Sequence, residues 1–152
     1  MEKARLQHAF TYVDDLDANR QLFSLAFRRT GLEKPLVLLS DGEELVRFLK
    51  GEAPFETRDR TSIPAIVLLD LRMQKMDGFE TLRWIRGNEQ FKKLVVLMFS
   101  SSGEESDIEK AFELGANSYI RKPVEFAALV HAIELINEYW FGCNSCPRRP
   151  GS

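Results

Sequence analysis

The sequence predicts a doubly wound α/β fold, in which helices cover both faces of a five-stranded parallel sheet with strand order 2-1-3-4-5. Short apolar runs alternate with longer amphipathic segments along the 152 residues, and no repeat interrupts them. The runs are nearly continuously apolar, as is typical of strands buried on both faces of a parallel sheet. Right-handed crossovers through the helices then favour this common strand order.

The first strand is predicted over residues 9–13 and the helix after it over residues 16–29, ending before Gly31. An apolar stripe with helical spacing marks the face of this helix that should contact the sheet. Its residues are Leu22, Phe23, Ala26 and Phe27.

The second strand is predicted over residues 36–39. Ser40 and Asp41 are suited to cap a short helix, which Gly51 ends. The polar residues from 51 to 64 then form the one long loop.

Two further strand–helix units follow the loop. Strands are predicted over residues 65–69 and 94–99, with a helix beginning at Gly78 between them. The helix after the fourth strand is predicted over residues 104–114 and stops at Gly115.

The chain ends on a short fifth strand, residues 118–120, and a helix predicted over residues 125–140. A helical wheel gives this helix two apolar stripes. The stripe expected to face the sheet contains Phe126, Leu129, Val130, Ile133, Ile136 and Trp140. The second stripe contains Ala128, Ala132, Leu135 and Tyr139.

Reactive side chains follow four of the five strands. Asp14 and Asp15 follow the first strand, Asp70 the third, Ser100 the fourth and Lys122 the fifth. Because parallel strands place their carboxyl ends at one edge, these groups should meet there. Clustered carboxylates repel one another unless a cation lies among them, and Mg²⁺ prefers such oxygen ligands. Taken singly, each residue also fits a structural role, such as a helix cap or a turn.

The composition excludes several classes of function. A formal net charge of -2 predicts no attraction to nucleic acid or to an anionic membrane. The sequence shows no apolar run long enough to span a bilayer and no signal peptide, so we expect a cytoplasmic protein. Cys143 and Cys146 lack the further ligands of a zinc site, and we expect no metal role for them.

Residues 9–140 resemble the receiver domain of two-component response regulators. The segments that carry the resemblance are "YVDD", "LLDLRMQKMDG", "LMFSSS" and "ELGANSYIRKP". It implies a flavodoxin-like receiver fold, with a receiver domain over residues 1–142 and a disordered tail over residues 143–152. A weaker similarity, in the long loop and the segment "NEYWF", is to single-domain receivers that pair with phytochrome-type kinases.

The resemblance also implies roles for the residues at the strand ends. Asp70 would be the phosphoacceptor. Asp14, Asp15, Asp70 and the backbone carbonyl of Arg72 would hold Mg²⁺.

The remaining implied roles concern the phosphoryl group and the response to it. Lys122 would pair with the phosphoryl group, before a cis bond to Pro123. Ser100 would be the hydroxyl of the switch, and Tyr119 its aromatic partner that changes rotamer.

Three departures from the family pattern concern four positions. Gln74 stands where proline is usual, so the loop after Asp70 should be less rigid. Arg72 and Ser102 lie at positions that influence how water reaches an acyl phosphate, and Ser100 replaces the commoner threonine. None of these changes removes a catalytic group.

The implied function is that of a single-domain response regulator, which takes a phosphoryl group from a sensor histidine kinase or phosphotransfer protein and acts through binding. It would be no enzyme beyond its own phosphorylation and dephosphorylation. The second stripe suggests a homodimer through the fourth helix, fifth strand and fifth helix, with Leu135 and Tyr139 near its centre, although scattered exposed apolar residues are also normal.

Two alternatives stay open from the sequence. One is a metal-dependent phosphohydrolase with Asp70 as nucleophile, which Arg72 disfavours because such enzymes commonly carry a second acid there. The other is an interaction module that works without phosphorylation.

Overall fold

The computed structural model describes residues 8–56 and 63–145 and confirms the parallel sheet, with strand order β2-β1-β3-β4-β5. Every neighbouring pair of strands runs parallel. The strands are β1 (Phe10–Val13), β2 (Leu36–Leu39), β3 (Ile66–Leu69), β4 (Val95–Ser100) and β5 (Ser118–Arg121). The helices are α1 (Asp17–Arg29), α2 (Gly42–Lys50), α3 (Gly78–Gly87), α4 (Glu105–Glu113) and α5 (Phe126–Asn137).

Two hydrophobic layers enclose the sheet, because alternate strand residues point to opposite faces. In β1, Phe10 and Tyr12 join the layer that contains residues of α1 and α5. Val13 joins the layer formed with α2, α3 and α4. This arrangement covers both faces and leaves the carboxyl edge of the sheet to the loops that follow the strands.

Three details of the predicted helices were wrong. Leu22 is 43 % exposed, because Phe23, Ala26 and Phe27 are the residues of α1 that turn toward the sheet. Phe126 is 39 % exposed, because residues 124–128 all lie clear of the core. The last α-helix ends at Asn137 rather than at residue 140 and continues as a π-helical segment over Glu138–Cys143.

The close approach of α3 to the end of β3 requires Gly78. A Cβ atom there would collide with the carbonyl oxygen of Asp70 and would lie 2.8 Å from the Cα atom of Leu71. The amide of Gly78 also donates to the carbonyl oxygen of Leu71 at 2.9 Å. The first turn of α3 therefore fixes the backbone around Asp70.

No helix among the described residues has both the length and the apolar character needed to cross a bilayer. Part of the predicted long loop, residues 57–62, lies outside the described residues. The same holds for residues 146–152 of the predicted tail, including Cys146. Cys143 is exposed and has a free thiol.

Candidate functional site

The topology brings three carboxylates together at the carboxyl edge of the sheet. Asp14 and Asp15 follow β1, Asp70 follows β3, and each offers an oxygen within 4.8 Å of the others. Asp14 and Asp70 are buried, and Asp15 is half-buried. Three oxygen ligands of like charge at this spacing suit a hard divalent cation such as Mg²⁺, which would offset their mutual repulsion.

The Asp14 carboxylate is held by four donors. Its Oδ1 atom accepts from the amide of Leu16 at 3.0 Å. Its Oδ2 atom accepts from the Tyr12 hydroxyl at 2.7 Å, the Lys122 ammonium at 2.6 Å and the Asn19 amide at 3.1 Å. Burial alone would raise the pKa of Asp14, but the hydrogen bonds from Lys122, Leu16 and Tyr12 and the Lys122 charge hold it below its ordinary value. Asp14 is therefore ionised at neutral pH.

The Asp70 carboxylate has fewer partners. The amide of Leu71 donates to its Oδ1 atom at 2.9 Å, and the Lys122 ammonium lies 3.4 Å from its Oδ2 atom. Burial raises the pKa of Asp70 to about 6, and the negative charge of Asp14 adds to the effect, while Lys122 opposes it. A cation among the carboxylates would favour the ionised, nucleophilic form of Asp70.

Lys122 is placed by the backbone of β4 and β5. Its amide donates to the carbonyl oxygen of Ser100 at 2.8 Å, and its side chain reaches both Asp14 and Asp70. The expected cis bond to Pro123 is wrong. Among the described residues only Ala53–Pro54 is cis, and the trans form already brings the ammonium group to the acids.

The hydroxyl of Ser100 lies at the end of β4 and is buried. Its Oγ atom accepts from the amide of Ser102 at 3.2 Å. Tyr119 is half-buried, and its hydroxyl donates to the carbonyl oxygen of Ser102 at 2.9 Å. The structure thus links the two predicted switch residues through the backbone of Ser102.

Arg72 and Asp15 border the site on its outer side. The Arg72 guanidinium pairs with Asp107 of α4 at 2.8 Å. The Asp15 carboxylate accepts from the amide of Gln74 at 3.3 Å, which ties the loops after β1 and β3 together. The metal-binding role of the Arg72 carbonyl stays a prediction, because none of the described contacts involves that atom.

Sequence reasoning missed Tyr12, Asn19 and Arg20, which all hold Asp14. Arg20 donates to the Asp14 backbone carbonyl at 2.6 Å. One signal was available for Tyr12: it lies two residues before Asp14, and residues two apart in a strand share a face. The contacts of Asn19 and Arg20 depend on how α1 docks.

Two residues of the second apolar stripe are exposed. Leu135 of α5 is 50 % exposed, and Tyr139 of the π-helical segment that continues α5 is 51 % exposed. Phe112 of α4 is also 50 % exposed. The role of Leu135 and Tyr139 in an interface stays a prediction.

Comparison with known proteins gives a consistent result. The family model described as "Response regulator receiver domain" matches residues 10–134. The probable methanogenesis regulatory protein FilR2 of Methanothrix harundinacea is 34 % identical over 135 residues, which cover 89 % of this chain and 84 % of FilR2.

Two solved structures add detail. The Mn²⁺-bound form of response regulator Rcp1, a protein of Synechocystis, has a TM-score of 0.79 and 26 % identity. The phosphorylated cyanobacterial phytochrome response regulator RcpA has a TM-score of 0.82 and 28 % identity. Each alignment covers 93 % of this chain and 99 % of the other.

Proposed function

This protein belongs to the response regulator receiver domain family, and on that premise we propose that it takes a phosphoryl group onto Asp70 in a Mg²⁺-dependent phosphorelay. The observation that carries the proposal is the position of Asp70. Its buried carboxylate lies beside those of Asp14 and Asp15 and 3.4 Å from the Lys122 ammonium. A nucleophile, a set of metal ligands and a group that pairs with phosphate are therefore present together.

In the transfer, an oxygen of Asp70 forms a bond to phosphorus while the bond between phosphorus and the donor's histidine nitrogen breaks. Lys122 moves from Asp14 toward the phosphoryl oxygens and pairs with their charge. The Ser100 hydroxyl donates to another of these oxygens. Asp14, Asp15, Asp70 and the Arg72 carbonyl would hold a divalent cation, and its positive charge would offset the negative charge on the phosphoryl group.

The relatives support this proposal. Rcp1 has been solved with Mn²⁺ and RcpA in a phosphorylated form, and both share the fold described above. The donor would be a sensor histidine kinase or phosphotransfer protein in the cytoplasm, and a kinase of the phytochrome type would fit the resemblance to RcpA.

Treatment with acetyl phosphate and Mg²⁺ distinguishes this function from the two alternatives. A response regulator gains one phosphoryl group, which persists long enough to be detected by intact-mass measurement. A phosphohydrolase releases phosphate over many turnovers, and a module that works without phosphorylation shows neither result. The exposed side chain of Arg72, paired with Asp107, stands where the hydrolase would need an acid.

We also propose that the exposed stripe of α5 forms a homodimer interface that responds to phosphorylation. Tyr119 lies on β5, beside the predicted interface, so repacking at the switch would alter this surface. Sedimentation of the wild type and Leu135→Glu, each with and without phosphorylation, tests the proposal. His131→Glu is the matched control, because it introduces the same acid on α5 outside the stripe. A wild type that stays monomeric in both states would contradict it.

A further inference from the structure

We propose, resting on the function proposed above, that Tyr12 is a positioning residue for the metal site. Its hydroxyl anchors the buried Asp14 carboxylate from inside the protein. The anchor keeps that carboxylate in place when Lys122 leaves it for the phosphoryl group.

The Tyr12 side chain is held rigidly. It is 2 % exposed, and its ring stacks on Phe23 with the centroids 4.1 Å apart and the planes 7° from parallel. Phe99 packs edge-on against a second side of the Tyr12 ring, with the ring centroids 5.9 Å apart and the planes at 81°. A phenol fixed in this way presents its hydroxyl at one place, 2.7 Å from the Oδ2 atom of Asp14.

The Oδ2 atom of Asp14 is crowded, whereas its Oδ1 atom is not. Tyr12, Lys122 and Asn19 all donate to Oδ2, although a carboxylate oxygen has about two acceptor positions. Among the described residues, only the amide of Leu16 donates to Oδ1, which retains capacity for a further partner. We therefore expect Oδ1 to be the Asp14 atom that binds the cation.

Lys122 is the donor that can leave. Its ammonium already lies between Asp14 and Asp70, at 2.6 and 3.4 Å, and a divalent cation at the acids repels it. Without another donor, its departure would leave a fully buried carboxylate oxygen poorly satisfied, which is costly. The hydrogen bond from the Tyr12 hydroxyl, at 2.7 Å, keeps this oxygen satisfied after Lys122 has left. Asn19 adds a longer hydrogen bond at 3.1 Å.

The Lys122 side chain borders a cleft of about 230 Å³. Tyr12, Asn19 and Lys122 line it together with the exposed Leu22 and Val124. All three side chains that donate to Oδ2 therefore border one open space, and only the phenol is locked by aromatic packing on two sides.

Calorimetric titration of Mg²⁺ into the purified full chain and into Tyr12→Phe tests the inference. We expect Tyr12→Phe to bind Mg²⁺ about tenfold more weakly, which is the usual effect of losing an outer-shell partner of a ligand. Thr11→Val is the matched control, because it removes a buried hydroxyl from the adjacent residue that contacts none of the acids. Its Mg²⁺ affinity should equal that of the wild type.

A merely structural role for Tyr12 gives a different pattern. Tyr12→Phe would then melt at a lower temperature in EDTA but keep the wild-type dissociation constant for Mg²⁺, and this result would overturn the inference. In a Lys122→Ala background the effect of Tyr12→Phe should be at least as large, because the phenol is then the shortest remaining bond to Oδ2. An effect that vanishes there would also overturn it. Failure of the wild type to bind Mg²⁺ would instead overturn the proposed function itself.

Discussion

Arg72 Nη2 lies 2.8 Å from Asp107 Oδ2, so a residue two positions after Asp70 is paired with the first turn of α4. The Ser102 hydroxyl donates to the same Asp107 oxygen at 2.6 Å. The Ser102 carbonyl in turn accepts from Tyr119 at 2.9 Å. The loops after β3 and β4 and the ring of Tyr119 are therefore joined in one network, which a change at Asp70 would affect.

Asp107→Asn should loosen this network with little loss of global stability. The Arg72 side chain is 71 % exposed, so we expect the free energy of unfolding to fall by less than about 1 kcal/mol. The amides of residues 101–107 should exchange hydrogen faster, as measured by mass spectrometry. The control is Glu109→Gln, which removes an exposed acid from the same helix. Equal exchange in both variants would show that Asp107 does not hold the loop.

Asp70→Asn should stabilise the metal-free protein in a pH-dependent way. The pKa of Asp70 is raised to about 6, so the folded state binds more protons than the unfolded state between about pH 4 and 6. Stability in EDTA should therefore fall as pH rises through this window in the wild type and fall less in the variant. Above pH 6 the variant should be more stable by up to about 3 kcal/mol. Thermal melts of both proteins at several pH values check this. A difference in stability between them that does not change with pH would contradict it.

Gly78→Ala should destabilise the protein and disturb the backbone at Asp70. The added Cβ would collide with the Asp70 carbonyl, and overpacking of this kind costs about 1–3 kcal/mol. Gly87→Ala, at the other end of α3, is the control, since nothing lies within 4 Å of its added Cβ. Urea unfolding should show a loss only for Gly78→Ala. Equal stability of the two variants would mean that α3 can move away from β3 freely.

Thr11→Val should stabilise the protein. Thr11 is fully buried in β1, and its hydroxyl has no hydrogen-bond partner among residues 8–56 and 63–145. Valine keeps the shape and removes the cost of burying that polar group, which predicts a gain of about 1 kcal/mol in the free energy of unfolding. Urea unfolding measures this gain, and a loss of stability would show that the hydroxyl makes a bond that the structure does not record.

The sequence was sufficient to predict the sheet and the meeting of Asp14, Asp15, Asp70 and Lys122. The reason is topological: a parallel sheet brings the ends of all its strands to one edge, whatever the details of packing. The apolar runs predicted the first and last residue of each strand to within one position, because strands buried on both faces are apolar along their length.

Contacts between side chains from distant segments could not be predicted. Arg72 and Asp107 are 35 residues apart and meet only once α4 has docked. The stacking of the Tyr12 ring on Phe23 likewise forms only once α1 has docked on the sheet. Leu22 fits the apolar stripe of α1, yet the rotation of that helix on the sheet leaves it partly exposed. Each of these features depends on the relative placement of two elements, which periodicity does not encode.

In the proposed function, Asp70 receives the phosphoryl group, and a divalent cation is needed for this transfer. Intact-mass measurement of the wild type and Asp70→Asn, each incubated with acetyl phosphate in Mg²⁺ or in EDTA, tests it most directly. We expect the addition of a single phosphoryl group to the wild type in Mg²⁺, and no addition in EDTA or in the variant. The same addition to Asp70→Asn, or to the wild type in EDTA, would contradict it.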